Sequence, residues 1–133
     1  MSLRKTAAAI SARLQEDAIL NGSTYQGIVA NRPNRYLAFF LSGGRRDQAR
    51  LTGASSLIDY SMVTHSVGTT AEQAQLVEER AQAKLIDWTP TIDGMNCRRM
   101  QHAGSQAIEI DADPNPPLFY ITSSYSLTME QVG

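Results

Sequence analysis

The sequence has one cysteine, Cys97, among its 133 residues, so no intramolecular disulfide can form and a cysteine-based zinc site or redox pair lacks a second ligand. Excess charge of either sign is also missing. Twelve basic residues against 13 acidic ones leave a formal charge of -1, too little for a whole-molecule field that would grip nucleic acid or an anionic membrane. Long hydrophobic runs are absent as well: the stretch Tyr36 to Leu41 is far too short to cross a bilayer. The N-terminal segment "MSLRKTAAAISARLQEDAIL" starts positive, but Ser11, Arg13, Gln15, Glu16 and Asp17 interrupt its apolar residues as no signal-peptide core would tolerate. No internal repeat or low-complexity tract occurs. These absences predict a soluble, cytoplasmic protein suited to a reducing compartment.

What is present reads as one globular domain spanning 1–133, with 42% hydrophobic and 19% charged residues. Leu3, Ala7, Ile10, Leu14 and Ala18 recur at helical spacing behind Ser2 as N-cap, and Asn21-Gly22 supplies a stop. "RYLAFFL" predicts a strand buried on both faces and central in its sheet. "SLIDYSMVTHSVG", with Ile58, Tyr60 and Met62 on one parity, predicts a second strand paired with the first like a hairpin. The clearest helix starts at a capping box of Thr69 or Thr70 with Glu72 or Gln73. It carries Ala74, Val77, Ala81, Leu85 and Trp88 on one face, and Pro90 ends it. "CRRMQHAG" and "QAIEIDAD" predict two shorter strands around Gly104, the second alternating Ile108 and Ile110 with Glu109 and Asp111. After the stiff connector "DPNPP", the last strand sets Phe119, Ile121, Tyr125, Leu127 and Met129 on one face and Tyr120, Thr122, Ser124, Ser126 and Thr128 on the other. Helix, strands, helix, strands predicts an α+β fold: a mainly antiparallel sheet with two helices packed on one face.

Candidates for chemistry are few. His65 and His102 with Glu109, Asp111 and Asp113 supply imidazoles and carboxylates for a metal, but no HxH, HExxH or DxD-plus-base spacing occurs, and acids before a proline-rich turn serve as solvated turn formers. Many serines are present without a GxSxG elbow, and "LSGG" reads as a turn. Cys97 would need its pKa lowered to act as a nucleophile, which Arg98 and Arg99 could supply; in a strand-like run a single cysteine reads first as packing. Trp88 reads as core first and interface anchor second. "SGGRRDQAR" matches neither GxxxxGK[ST] nor GxGxxG. It reads either as a solvated hairpin loop or as a Gly-hinged segment whose Arg45, Arg46 and Arg50 make directed contacts with another protein or weakly face a DNA passage. The sequence therefore predicts no catalytic, cofactor or metal residues, no cofactor and no enzyme activity. Its interface candidates are Gly43, Gly44, Arg45, Arg46, Asp47, Arg50 and Leu51.

"GGRRDQARLTG", then "VGTTAEQAQLVEERAQAKLIDWTPTIDGMNCRRMQH" and "DADPNPPLFYITSSYSLTM", resemble the tail terminator proteins of long-tailed phages, especially those of actinobacterial phages and prophages. The resemblance runs from Arg45 to Met129. It is carried by the RLTG stretch Arg50 to Gly53, by V-G-T-T-A-E-Q-A entering the second helix, by D-G-x-x-C from Asp93 to Cys97, and by P-P-x-F-Y from Pro116 to Tyr120. Family members tend to carry acid in the closing strand, where this chain has Thr122, Ser123 and Ser124, and residues 1–40 match in general character only. The resemblance implies a ring, commonly a homohexamer, assembled in the host cytoplasm and resident in the virion tail. Such a ring caps the tail tube, stops its polymerisation and presents the surface that meets the head–tail connector protein, while DNA passes through the lumen without specific binding. Its partners would be copies of itself, the tail tube protein and the connector, with no membrane. A head completion protein is the neighbouring reading, and a small hydrolase using Cys97 or an acidic metal site near Asp111 is the distant one.

Overall fold

A computed structural model describes residues 2–27, 33–43, 45–46, 57–114 and 116–131. The elements follow in the order α1 (Ser2–Gln15), β1 (Thr24–Gln26), β2 (Arg35–Leu41), β3 (Arg45–Arg46), β4 (Leu57–Gly68), α2 (Ala71–Leu85), β5 (Met95–Cys97), β6 (Gln101–Ser105), β7 (Glu109–Asp111) and β8 (Leu118–Gln131). Among the described residues the strands form one eight-stranded sheet in which β1 and β2 run parallel and every other pairing is antiparallel. The α+β class and the mostly antiparallel sheet are as the sequence predicts.

Two long strands form the spine. β4 and β8 pair from Leu57 opposite Glu130 to Gly68 opposite Phe119. Shorter strands tile both flanks: β2 and β3 lie end to end along the free side of β4, and β7, β6 and β5 along the free side of β8. The centre is therefore the β4–β8 pair rather than β2, which has only the short β1 outside it. Tyr36, Leu37, Ala38 and Phe39 are nonetheless all buried, because the two faces of β2 feed two separate clusters.

Parity decides which cluster each residue joins. Leu37 and Phe39, then Ile58, Tyr60 and Met62, then Tyr125, Leu127 and Met129 turn to one face and pack against Ala7, Ile10 and Leu14 of α1 and Val77, Ala81 and Leu85 of α2. Both helices thus cover one face. On the other, Tyr36, Ala38, Val67 and Leu118 form a smaller cluster with Tyr25 and Tyr120 beside it.

Both helices end earlier than the apolar stripes suggest. α1 stops at Gln15, and Ala18 lies exposed in the following turns, where Asp17 accepts the amides of Ile19 (2.8 Å) and Leu20 (3.4 Å). α2 begins at Thr70, whose hydroxyl accepts the Gln73 amide at 3.2 Å while the Gln73 side chain accepts from Thr69 at 2.7 Å. It stops at Leu85 because Ile86 is already extended and Asp87 takes a left-handed φ of 63°. Trp88 therefore lies past the helix, partly buried against the core, with the Arg13 guanidinium 5.6 Å over its ring. In the described residues no helix is long and apolar enough to cross a membrane.

Candidate protein interface

The densest polar chemistry lies under α2. Glu78 is buried, and its carboxylate accepts hydrogen bonds from Ser66 (3.0 Å), Ser105 (3.0 Å), Gln82 (3.1 Å) and Ser123. Period two in β4 and β8 brings Ser66 and Ser123 to the helix face; a bulge between His102 and Gly104 brings Ser105 in from β6. Ser105 and Ser123 hydroxyls lie 2.6 Å apart, and His102 Nε2 is 3.1 Å from the Ser105 hydroxyl. Serine, histidine and carboxylate do meet here, but in an order unlike that of a hydrolase. A triad places the imidazole between nucleophile and carboxylate, whereas here Ser105 stands between His102 and Glu78. The cluster ties α2 to three strands. Beside it, burial first and the negative charge of Glu78 second push the Tyr125 hydroxyl above its usual pKa.

The structure separates the two histidines. His102 lies on the helix face, its ring 5.1 Å from that of Tyr125. His65 lies on the opposite face between Phe40 (5.3 Å) and Tyr120 (5.8 Å), where burial lowers its pKa. Tyr120 donates to Glu109 at 2.6 Å. Among the described residues no group of three or more His, Cys, Asp or Glu is placed to hold a metal ion. Cys97 packs half-buried against the core, and burial pushes its thiol up, opposite to the activation that Arg98 and Arg99 could have supplied.

Of the interface candidates, Gly43 is exposed just after β2, and Arg45 and Arg46 form β3, paired with Asp59 and Ile58 of β4. Gly44, Asp47, Arg50 and Leu51, with the Arg50 to Gly53 stretch, lie outside the described residues. The two arginines thus occupy the flank of the sheet at the end where β4 begins and β8 finishes. At the other end, a cleft of about 420 Å³ opens between β2 and the first turns of α2, lined by Arg35, Glu72, Gln73, Leu76 and Glu79 among others.

Sequence reasoning missed the open sheet face. Phe40, His65 and Tyr120 come from three strands, and only the β2–β4–β8 register brings them into one stripe. It also read Ile108 and Ile110 into one short alternating strand; Ile108 lies just before β7 and Ile110 within it, and they are 36% and 61% exposed. β7 is an edge strand that touches β8 alone, so neither of its faces has a layer to pack on.

No family model matches the sequence, and no curated protein matches it. Solved structures do. A chain from the virion of a native gene transfer agent particle superposes with a TM-score of 0.67 at 13% identity, over 92% of this chain and 92% of that one. A second solved protein, which carries no functional name, superposes with a TM-score of 0.69 at 14% identity, over 100% of this chain and 99% of its own. At these identities the likeness is one of fold, and it extends over nearly the whole of each chain.

Proposed function

We propose that the chain is a structural virion protein: a ring that caps the phage tail tube, ends its polymerisation and presents the surface on which the head docks. The observation that carries this reading is the likeness, over 92% of both chains, to a component of a gene transfer agent virion. The tail terminator pattern from Arg45 to Met129 supplies the finer role. Cyclic closure requires one patch of each subunit to meet a different patch of the next. The β4–β8 spine, 12 paired residues long, is a stiff wall for such a ring. A chain of near-zero net charge suits a lumen through which DNA slides without the counterion-release grip of a basic channel.

Termination then requires no catalysis. A ring that covers the subunit-addition surface of the tube and lacks that surface on its far side stops growth by occlusion. The tube contact is assigned to the segment from Gly43 to Leu51, within which the backbone of Arg45 and Arg46 forms β3. The test is to add the purified chain to polymerising tube protein from the same particle and to measure tube length and end shape in negative stain. Capped tubes of limited length are expected, and Arg45→Glu with Arg46→Glu should give uncapped, overlong tubes without loss of fold. Normal lengths from the double variant would refute the assignment. Binding to the head connector with indifference to tubes would instead make the chain a head completion protein.

A further inference from the structure

Cyclic closure needs two different patches on each chain, and the sheet has two open edges. One is β1. Leu37 donates to the Ser23 carbonyl at 2.8 Å and Gly27 to that of Phe39 at 2.9 Å, so strand alternation turns the backbone groups of Thr24 and Gln26 away from β2. The other edge runs along β6 and β7. Gln106 donates to the Thr122 carbonyl at 2.8 Å, and the same alternation turns the backbone groups of Ser105 outward. Glu109 pairs with Tyr120, so Ala107 and Ile108 together stand opposite Ile121, a bulge that leaves both without a ladder partner among the described residues.

This second edge lacks the lysine or proline that commonly guards one. Every residue from 103 to 110 is exposed, and Ile108 and Ile110 are two of the three large hydrophobic residues exposed in the described chain. Such an edge is a template for another strand. Its bulges, here and between His102 and Gly104, suit it to a short partner, and β1 has three residues. The two edges also stand level. Gln26 pairs with Phe39, Phe39 with Thr64, Thr64 with Ser123 and Ser123 with Ser105, in one row across the sheet. Thr24, Leu37, Ser66 and Ile121 make the row that ends at Ala107 and Ile108. β1 and β6 run in opposite directions, because one parallel pairing and three antiparallel ones separate them.

We infer that β1 of one copy pairs antiparallel with residues 105–108 of the next, so that the sheet continues from copy to copy. The inference rests on the ring reading and adds to it the two patches that meet. A second copy set level at this edge brings the outward groups of Gln26 to face those of Ser105, and those of Thr24 to face Ala107, as an antiparallel ladder requires. Both edges then lose their unpaired backbone groups, which closure of a sheet achieves and an open sheet does not.

In this register Tyr25 lies opposite Gln106, as a pair whose Cα atoms stand about 4.5 Å apart, within reach of a disulfide. Inside one chain the two residues are four strand spacings apart, about 19 Å, too far to bridge. The experiment oxidises Tyr25→Cys with Gln106→Cys, in a Cys97→Ser background, with and without tail tubes, beside each single replacement. Non-reducing gels should show a ladder of linked chains for the pair and none for the singles. A second variant, Ala107→Pro, removes an outward amide and keeps the inward bond of Gln106. Circular dichroism checks its fold, and light scattering after size exclusion should show assembly only at about tenfold higher concentration, the effect of one ladder hydrogen bond lost with its acceptor left unpaired. Wild-type rings, together with no ladder and with Ala107→Pro rings at the wild-type concentration, would overturn the inference and leave the ring reading standing. A wild type that never assembles, with or without tubes, would remove both. Rings that persist in Ala107→Pro while tube binding is lost would also overturn it, in favour of strand addition by the tube protein.

Discussion

His65 stands with its ring between Phe40 and Tyr120 on the open face of the sheet, and burial favours its neutral form. Its folded pKa therefore lies below the ordinary value of about 6.5, so the unfolded chain takes up the proton first as pH falls. The stability linked to this group is fully present above pH 6.5 and is lost as pH falls through the folded value. Thermal melts between pH 7.5 and 5 should show a steeper decline for the wild type than for His65→Asn; parallel declines would contradict the buried, neutral imidazole. Nothing in the sequence marked this environment. His65 alternates in β4 like any wet-face residue, and its aromatic neighbours come from strands 25 or more positions away. Glu78 was hidden for a similar reason: in α2 it reads as one more surface acid, and its serine partners become visible only when β4, β6 and β8 are placed side by side.

At the scale of elements, the seat of α2 on β4 depends on Gly68. A Cβ built there would meet Gln73 Cβ at 2.6 Å and the Ala74 amide nitrogen at 2.7 Å, and the amide cannot move without dragging the first turn of the helix with it. Gly68→Ala should cost about 1 to 3 kcal/mol, the usual penalty for overpacking, read as a lower urea midpoint at unchanged slope; an unchanged midpoint would mean that the helix start shifts freely. The long elements were legible because their periodicity is strong: α2 carries Ala74, Val77, Ala81 and Leu85 on one face, and β8 alternates buried and partly exposed residues along most of its length. Short strands were not. β1 and β3 have three and two residues, too few for a pattern, and they exist because β2 and β4 offer them an edge. The alternation of Ile108 and Ile110 was real but misleading, since period two reports a strand without showing that a layer covers it.

Across the whole molecule, flank-tiled long strands, helices on one face and an open second face describe a wall segment with two distinct faces. Formal charge and composition could not show this, because they carry no information about which strands become neighbours. The central claim, that such segments close into a ring, is tested most directly by light scattering after size exclusion over a wide concentration range, with negative-stain images of the heaviest fraction. Ring formation predicts a closed particle of about six copies of the 14.6 kDa chain, with a central hole of about 20 Å or more, wide enough for duplex DNA given its groove dimensions. A chain that stays at 14.6 kDa at every concentration, and that forms no ring when tail tubes are added, would contradict it.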